Sequence, residues 1–75
     1  MARQMDVVAE VTGNVWKVLA QPGQPVAEGD VLVIVESMKM EIPIEAPRAG
    51  TLRTLSCAEG QPVQEGSTVA VIEFA

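Results

Sequence analysis

Residues 18–29, VLAQPGQPVAEG, return 37 positions later as residues 55–66, LSCAEGQPVQEG. The two stretches share six identities in one ungapped register. Three flanking pairs keep the same offset, namely Ala9 with Ala46, Gly13 with Gly50, and Glu36 with Glu73. Turn chemistry alone would explain the shared Gly-Gln-Pro-Val but not the flanking matches, so we interpret the chain as a duplicated half-domain.

Each half predicts short strands separated by glycine turns. Five segments are rich in β-branched residues and are either continuously apolar or alternating. They are residues 14–19, 31–35, 40–45, 51–55 and 68–72. Pro43 lacks an N–H, so it should lie either in an edge strand or at a non-hydrogen-bonded site of its strand. No window of helical length shows a 3.6-residue period, so we predict an all-β fold of about eight strands in two equivalent sets of four.

The composition limits the chain to one small domain. We predict that it spans residues 1–75, with residues 1–4 as a loosely ordered tail. The net charge of −5 argues against binding to nucleic acid or to an anionic membrane. No apolar run approaches the roughly 20 residues of a membrane span, and the N-terminus has no signal-peptide core, so we expect a cytoplasmic location.

The inventory of reactive side chains argues against a stand-alone enzyme. The chain has no histidine and a single cysteine, Cys57, so neither a recognisable zinc site nor a Ser-His or Cys-His dyad is available. Cys57 falls at a strand end of the repeat, where a buried filler is the simplest interpretation.

Residues 36–41, ESMKME, form an unusual turn sequence at the junction of the two halves. Turns normally carry Gly, Asn, Asp, Ser or Pro, whereas here two methionines flank a lysine. The repeat places the equivalent of this hairpin where the chain begins and ends, so the hairpin should lie at the opposite end of the domain. Of the two lysines in the chain, Lys39 is therefore presented at a free tip and Lys17 lies in a strand.

The segment ESMKM resembles the Glu-Ala-Met-Lys-Met signature of the biotinyl/lipoyl attachment domains of the biotin carboxyl carrier type. Residues 44–47, IEAP, residues 49–50, AG, and the two GQPVxEG turns also fit, so the resemblance covers nearly the whole chain. It implies a barrel-sandwich hybrid of two four-stranded antiparallel sheets with quasi-two-fold symmetry. It also implies that Lys39 carries covalent biotin on the hairpin between the fourth and fifth strands.

The resemblance assigns roles to the neighbours of Lys39 as well. Met38, Met40, Glu36 and Ser37 would serve recognition and positioning by a biotin protein ligase and by partner enzymes. Serine stands at position 37 where the family more often has alanine. The first half has no insertion between residues 18 and 26, which resembles the carriers without a protruding thumb.

Three functions follow as alternatives. The first is a carboxyl carrier, monomeric as an isolated domain, that moves a carboxyl group between a biotin carboxylase and a carboxyltransferase. The second is a lipoyl carrier, although lipoyl domains usually have Asp-Lys followed by alanine or valine. The third is an unmodified module used for protein interaction. In the first two, the attached cofactor supplies the chemistry and the domain presents it.

Overall fold

The computed structural model describes residues 3–75, which form eight strands and no helix. The strands are β1 (Arg3–Val8), β2 (Gly13–Val18), β3 (Pro25–Val26), β4 (Val31–Ser37), β5 (Met40–Glu45), β6 (Gly50–Leu55), β7 (Pro62–Val63) and β8 (Thr68–Phe74). They build two four-stranded sheets with antiparallel ladders, in the orders β1-β8-β6-β3 and β5-β4-β2-β7. The predicted all-β class is confirmed, and β5, which contains Pro43, is an edge strand, the first of the two predicted placements.

The duplication governs both the strands and the core. A shift of 37 residues carries β1–β4 onto β5–β8 with identical bounds. The same shift relates the sixteen buried apolar residues in eight pairs. These are Val7/Ile44, Ala9/Ala46, Val15/Leu52, Ala20/Cys57, Val26/Val63, Leu32/Val69, Val33/Ala70 and Val35/Ile72. The expected filler role of Cys57 is confirmed, because its equivalent is a buried alanine.

The two halves also exchange strands. β3 of the first half pairs with β6 of the second, and β7 of the second half pairs with β2 of the first. Each sheet therefore contains strands from both halves, and neither half can bury its apolar face alone. Register shifts occur at equivalent points of β2 and β6, and they increase local twist and help the two sheets curve around the shared core.

The predicted tail of residues 1–4 is wrong for its second part. Arg3 and Gln4 belong to β1, where they pair with Phe74 and Glu73 of β8. An edge strand gains ladder hydrogen bonds from this pairing, which the polar sequence did not indicate. Met1 and Ala2 lie outside the described residues.

Candidate functional site

The junction of β4 and β5 is a two-residue hairpin turn. Ser37 pairs with Met40, which leaves Met38 and Lys39 as the loop. Both loop residues have positive φ, 52° for Met38 and 66° for Lys39, as a type I′ turn requires. They are the two non-glycine residues with positive φ in the described chain. Such a conformation costs about 1 kcal/mol or more per residue, so the turn is strained at the predicted modification site.

The side chains of the turn project into solvent. Met38 is 93% exposed, Met40 is 63% exposed, and Lys39 is also exposed. No ion pair within residues 3–75 involves Lys39. Its amine, on a flexible four-carbon stem, is therefore accessible to an enzyme that acylates it. The residues present fit covalent attachment of biotin, because nothing in the described chain competes for the amine or covers it.

The hairpin lies at the opposite end of the domain from the strand ends Arg3 and Phe74. The turn before β8 lies beside the hairpin, because Thr12 contacts both: its carbonyl accepts from Ser37 Oγ (2.8 Å) and its Oγ1 accepts from the Glu65 N–H (3.0 Å). From there β8 runs away from the hairpin for seven residues, about 20 Å at 3.3 Å per residue, and ends at Phe74. The predicted placement of the tip is confirmed, in a molecule of 40 × 18 × 17 Å.

Thr12 is a site residue that the sequence did not single out. It joins the base of the hairpin, through Ser37, to the turn between β7 and β8, through Glu65. The equivalent positions in the second half are Ala49 and Phe74, which cannot form these bonds through their side chains. The difference between the halves at these positions was the available signal. The hydroxyl of Ser37, absent from the family's usual alanine, thus has a defined acceptor.

Gly13 of β2 packs closely against the backbone at the end of β4, next to the hairpin. A Cβ at this position would overlap the backbone oxygen of Glu36, and a Cβ on the equivalent Gly50 would lie 2.5 Å from the backbone oxygen of Glu73. β2 therefore passes too close to the end of β4 for any side chain. This close approach fixes the base of the hairpin against the barrel.

Glu36 lies on the outer face of its sheet, directly opposite Glu41 in the ladder. Neither carboxylate has a cationic partner within residues 3–75. At the equivalent place in the other sheet, Glu73 opposes Gln4 and forms an ion pair with Arg53, Oε2 to Nη1 2.7 Å. Like charges directly opposite each other destabilise a sheet. Among the described residues, the acidic pair of the hairpin sheet is therefore uncompensated, whereas Glu73 of the other sheet is paired.

Lys17 occupies a different environment from Lys39. It lies in β2, as predicted, with Nζ 5.7 Å from the ring centroid of Trp16. Its ladder partner is Ile34, three residues before Ser37, so it is about 10 Å from the turn along the strand. The two lysines are therefore separated by position and by backbone conformation.

The remaining reactive features lie away from the hairpin. Burial raises the pKa of the Cys57 thiol above its ordinary value, which lowers the thiolate fraction at neutral pH. The Arg48 guanidinium stacks 3.6 Å from the centroid of the Phe74 ring, beside a shallow depression at the far end of the barrel. Within residues 3–75 there is no cluster of side chains suited to hold a metal ion. Among the same residues, no helix could cross a membrane.

The chain is similar both to small proteins of nearly its own length and to a short part of much larger carboxylases. The chain is 45% identical over 67 residues to the "Biotinylated protein TB7.3 homolog" of Mycobacterium leprae, covering 89% of this chain and 94% of the relative. It is 42% identical over 55 residues to the "Biotin/lipoyl attachment protein" of Bacillus subtilis, covering 73% and 75% of the two chains. Among solved structures, the urea carboxylase of Kluyveromyces lactis matches with a TM-score of 0.88 and 34% identity. That match covers 93% of this chain and 6% of the carboxylase.

A family model described as "Biotin-requiring enzyme" matches residues 3–72, nearly all of the described chain. The match includes both halves of the duplication and the hairpin between them. The chain therefore belongs to the biotin- and lipoyl-attachment family.

Proposed function

We propose that this chain is a biotin carboxyl carrier, with biotin joined through an amide to Lys39 Nζ. The observation that carries the proposal is the exposed Lys39 amine on a strained two-residue turn. The turn places this amine between two exposed methionines, at the end of the domain opposite Arg3 and Phe74. The family match and a biotinylated relative of nearly equal length support the choice of cofactor.

Loading requires a separate enzyme. In the reaction, Lys39 Nζ gives up a proton and forms a C–N bond with the biotin carboxyl carbon, and the group that activated the carboxyl leaves. A biotin protein ligase would supply the activation. The positive charge of Lys39 is lost, and the stem becomes part of a long flexible arm. When bound, biotin accepts and releases a carboxyl group.

The barrel contributes presentation rather than chemistry. Its paired strands and the bonds at Thr12 hold the hairpin out from the body, so the arm can enter a partner's site while the domain stays outside. The partners we propose are a biotin carboxylase, which loads the carboxyl group, and a carboxyltransferase, which removes it. The likeness to a domain of urea carboxylase supports partners of this class. Shuttling on a tether raises the effective concentration at each site. We further propose that the isolated domain is monomeric and works in the cytoplasm.

A lipoyl carrier is the second candidate, favoured by the B. subtilis relative whose name includes both cofactors. The same exposed amine would accept lipoate, and the fold would not change. The Met-Lys-Met sequence around Lys39 supports biotin instead. An unmodified interaction module is the third candidate, and it predicts that Lys39 stays free when active ligases are present.

Intact-mass measurement decides among the three. We expect the purified chain to gain one biotin when incubated with a biotin protein ligase, ATP and biotin, and to gain no lipoyl group in a parallel reaction with a lipoate ligase. Lys39→Arg should abolish the gain because arginine offers no acylable amine. Lys17→Arg is the matched control and should be loaded like the wild type.

Biotin on the Lys39→Arg chain would overturn the site. A lipoyl group in place of biotin would transfer the proposal to the second candidate. A wild-type chain that remains unmodified in both reactions would support the third.

A further inference from the structure

The outer faces of the two sheets differ although their frames are equivalent. Across the middle of the hairpin sheet, the outer face carries Trp16, Ile34 and Pro43 from three neighbouring strands. The equivalent residues of the other sheet are Arg53, Val71 and Asp6. Lys17 lies beside Trp16 as the register partner of Ile34, so the centre of the hairpin face has three apolar side chains and one cation. The other face is charged at both of the flanking positions, and its residue equivalent to Lys17 is Thr54.

The apolar row results from a register shift in β2. Between Val15 and Lys17 the ladder with β4 gains one residue, so Trp16 is the extra residue, Lys17 is the partner of Ile34, and both are exposed. Ile34 in turn pairs directly with Pro43 of β5. The Trp16 side chain is 43% exposed, and the side chain of Ile34 is half-buried between its neighbours. We call these three residues the apolar row.

Carboxylates border the apolar row on the side of the hairpin and along the edge strand. Glu36 and Glu41 oppose each other on the same face, two residues closer to the turn than Ile34 and Pro43. Glu45 is the next outward-facing residue of β5 after Pro43. None of the three has a cationic partner within the described residues. Lys17, the cation next to the apolar row, has its Nζ 5.7 Å from the Trp16 ring centroid and forms no ion pair with these carboxylates. An apolar centre with an uncompensated acidic border is complementary to an apolar surface bordered by arginine or lysine.

The distance to the turn links this surface to Lys39. Ile34 lies three residues before Ser37, so the apolar row is about 10 Å from the turn. A protein interface of ordinary size buries about 800 Å² on each partner, equivalent to a disc of about 16 Å radius. An enzyme that must reach the Lys39 amine itself, on its short stem, has to sit close to the turn, and an interface of that size then extends over the apolar row.

We propose that the apolar row is the docking surface for the biotin protein ligase that loads Lys39, whose matching surface is apolar with a cationic border. This inference rests on the proposed function. The ligase is favoured over the carboxylase enzymes because it acts on the lysine amine directly. The enzymes that later use the loaded arm reach a group beyond the lysine stem, and they do not need to approach the sheet as closely.

The test is steady-state biotinylation by purified biotin protein ligase with ATP and biotin, with the concentration of the domain varied. Trp16→Arg gives the hairpin sheet the residue of the other sheet. We expect it to raise the KM for the domain at least tenfold, a loss typical of a tryptophan at the centre of an interface, with kcat nearly unchanged. Ile34→Thr should raise the KM to a smaller extent, because it removes apolar contact while keeping a strand-forming residue.

Val71→Thr is the matched control, because Val71 is the equivalent of Ile34 on the opposite face, and its KM should equal that of the wild type. Thermal unfolding confirms that each variant is folded. If Trp16→Arg does not fold, the comparison of Ile34→Thr with Val71→Thr decides the question.

Wild-type KM values for both Trp16→Arg and Ile34→Thr would overturn the proposal, as would an equal rise for Val71→Thr. A dimer of the wild type in sedimentation that Trp16→Arg dissociates would assign the apolar row to a second copy of the chain and also overturn it. Failure of the proposed function gives a different result, since the wild type would then gain no biotin at Lys39.

Discussion

The two ends of the barrel have the same backbone frame and different surfaces. At the hairpin end, Ser37 and Met40 pair and enclose a closed turn. At the other end, the equivalent pair is Phe74 and Arg3, where the strands end. The buried residues of the two halves match in eight apolar pairs, whereas surface positions such as Trp16/Arg53 and Ser37/Phe74 differ. The duplicated core therefore sets the fold, and function is carried by the positions where the halves diverge.

Substitution of the two glycines at the close approaches should change the free energy of unfolding most. Gly13→Ala and Gly50→Ala each place a Cβ against the backbone oxygen of the last part of β4 or β8, so each should lower the free energy of unfolding by about 1–3 kcal/mol. Urea denaturation measures the loss. Asn14→Ala, at the exposed neighbouring position, is the control and should stay within about 0.5 kcal/mol of the wild type. If Gly13→Ala unfolds at the wild-type midpoint, the base of the hairpin is not fixed as described.

Relief of the strained turn should raise the free energy of unfolding by a smaller amount. Met38→Gly relieves positive φ at one loop residue, and we expect it to raise the free energy of unfolding by roughly 0.5 kcal/mol after the entropy of glycine is offset. Met40→Gly is the control, because Met40 lies in β5 and glycine in a strand costs about 0.5–1 kcal/mol. Thermal unfolding of the two variants compares them. Equal destabilisation by both would show that the turn carries no strain.

Removal of one carboxylate from the acidic pair, or from its compensated equivalent, should change the stability least. Glu41→Gln removes the repulsion with Glu36 and should stabilise the fold by a few tenths of a kcal/mol at low salt. Glu73→Gln removes the exposed ion pair with Arg53 and should destabilise it by a similar amount. Both effects should shrink in 1 M salt, where screening is strong. Urea midpoints of the two variants that shift in the same direction would contradict the assigned difference between the sheets.

The sequence was sufficient to predict the all-β class, the two equivalent sets of strands and the hairpin because the duplication provides an internal alignment. It reached Lys39 because a lysine between two methionines departs from ordinary turn chemistry. It could not predict the outer face, because strict alternation would place Trp16 and Lys17 on opposite sides of β2. The register shift places both outside, and such a shift depends on the pairing with β4. The contact of Ser37 with Thr12 also required the third dimension, since 25 residues separate them.

The pairing of Phe74 with Arg3 has a topological consequence. This pair is equivalent to Ser37 with Met40. The two halves of the described chain are therefore arranged like two repeats of a ring, in which a turn joins β4 to β5 but no turn joins β8 to β1. A two-residue linker between Phe74 and Arg3 would close the ring into a second hairpin of the same type. If that linker were Met-Lys, a single barrel would present two lysine arms, about a molecular length apart and facing in opposite directions. The fold is thus compatible with a bivalent carrier.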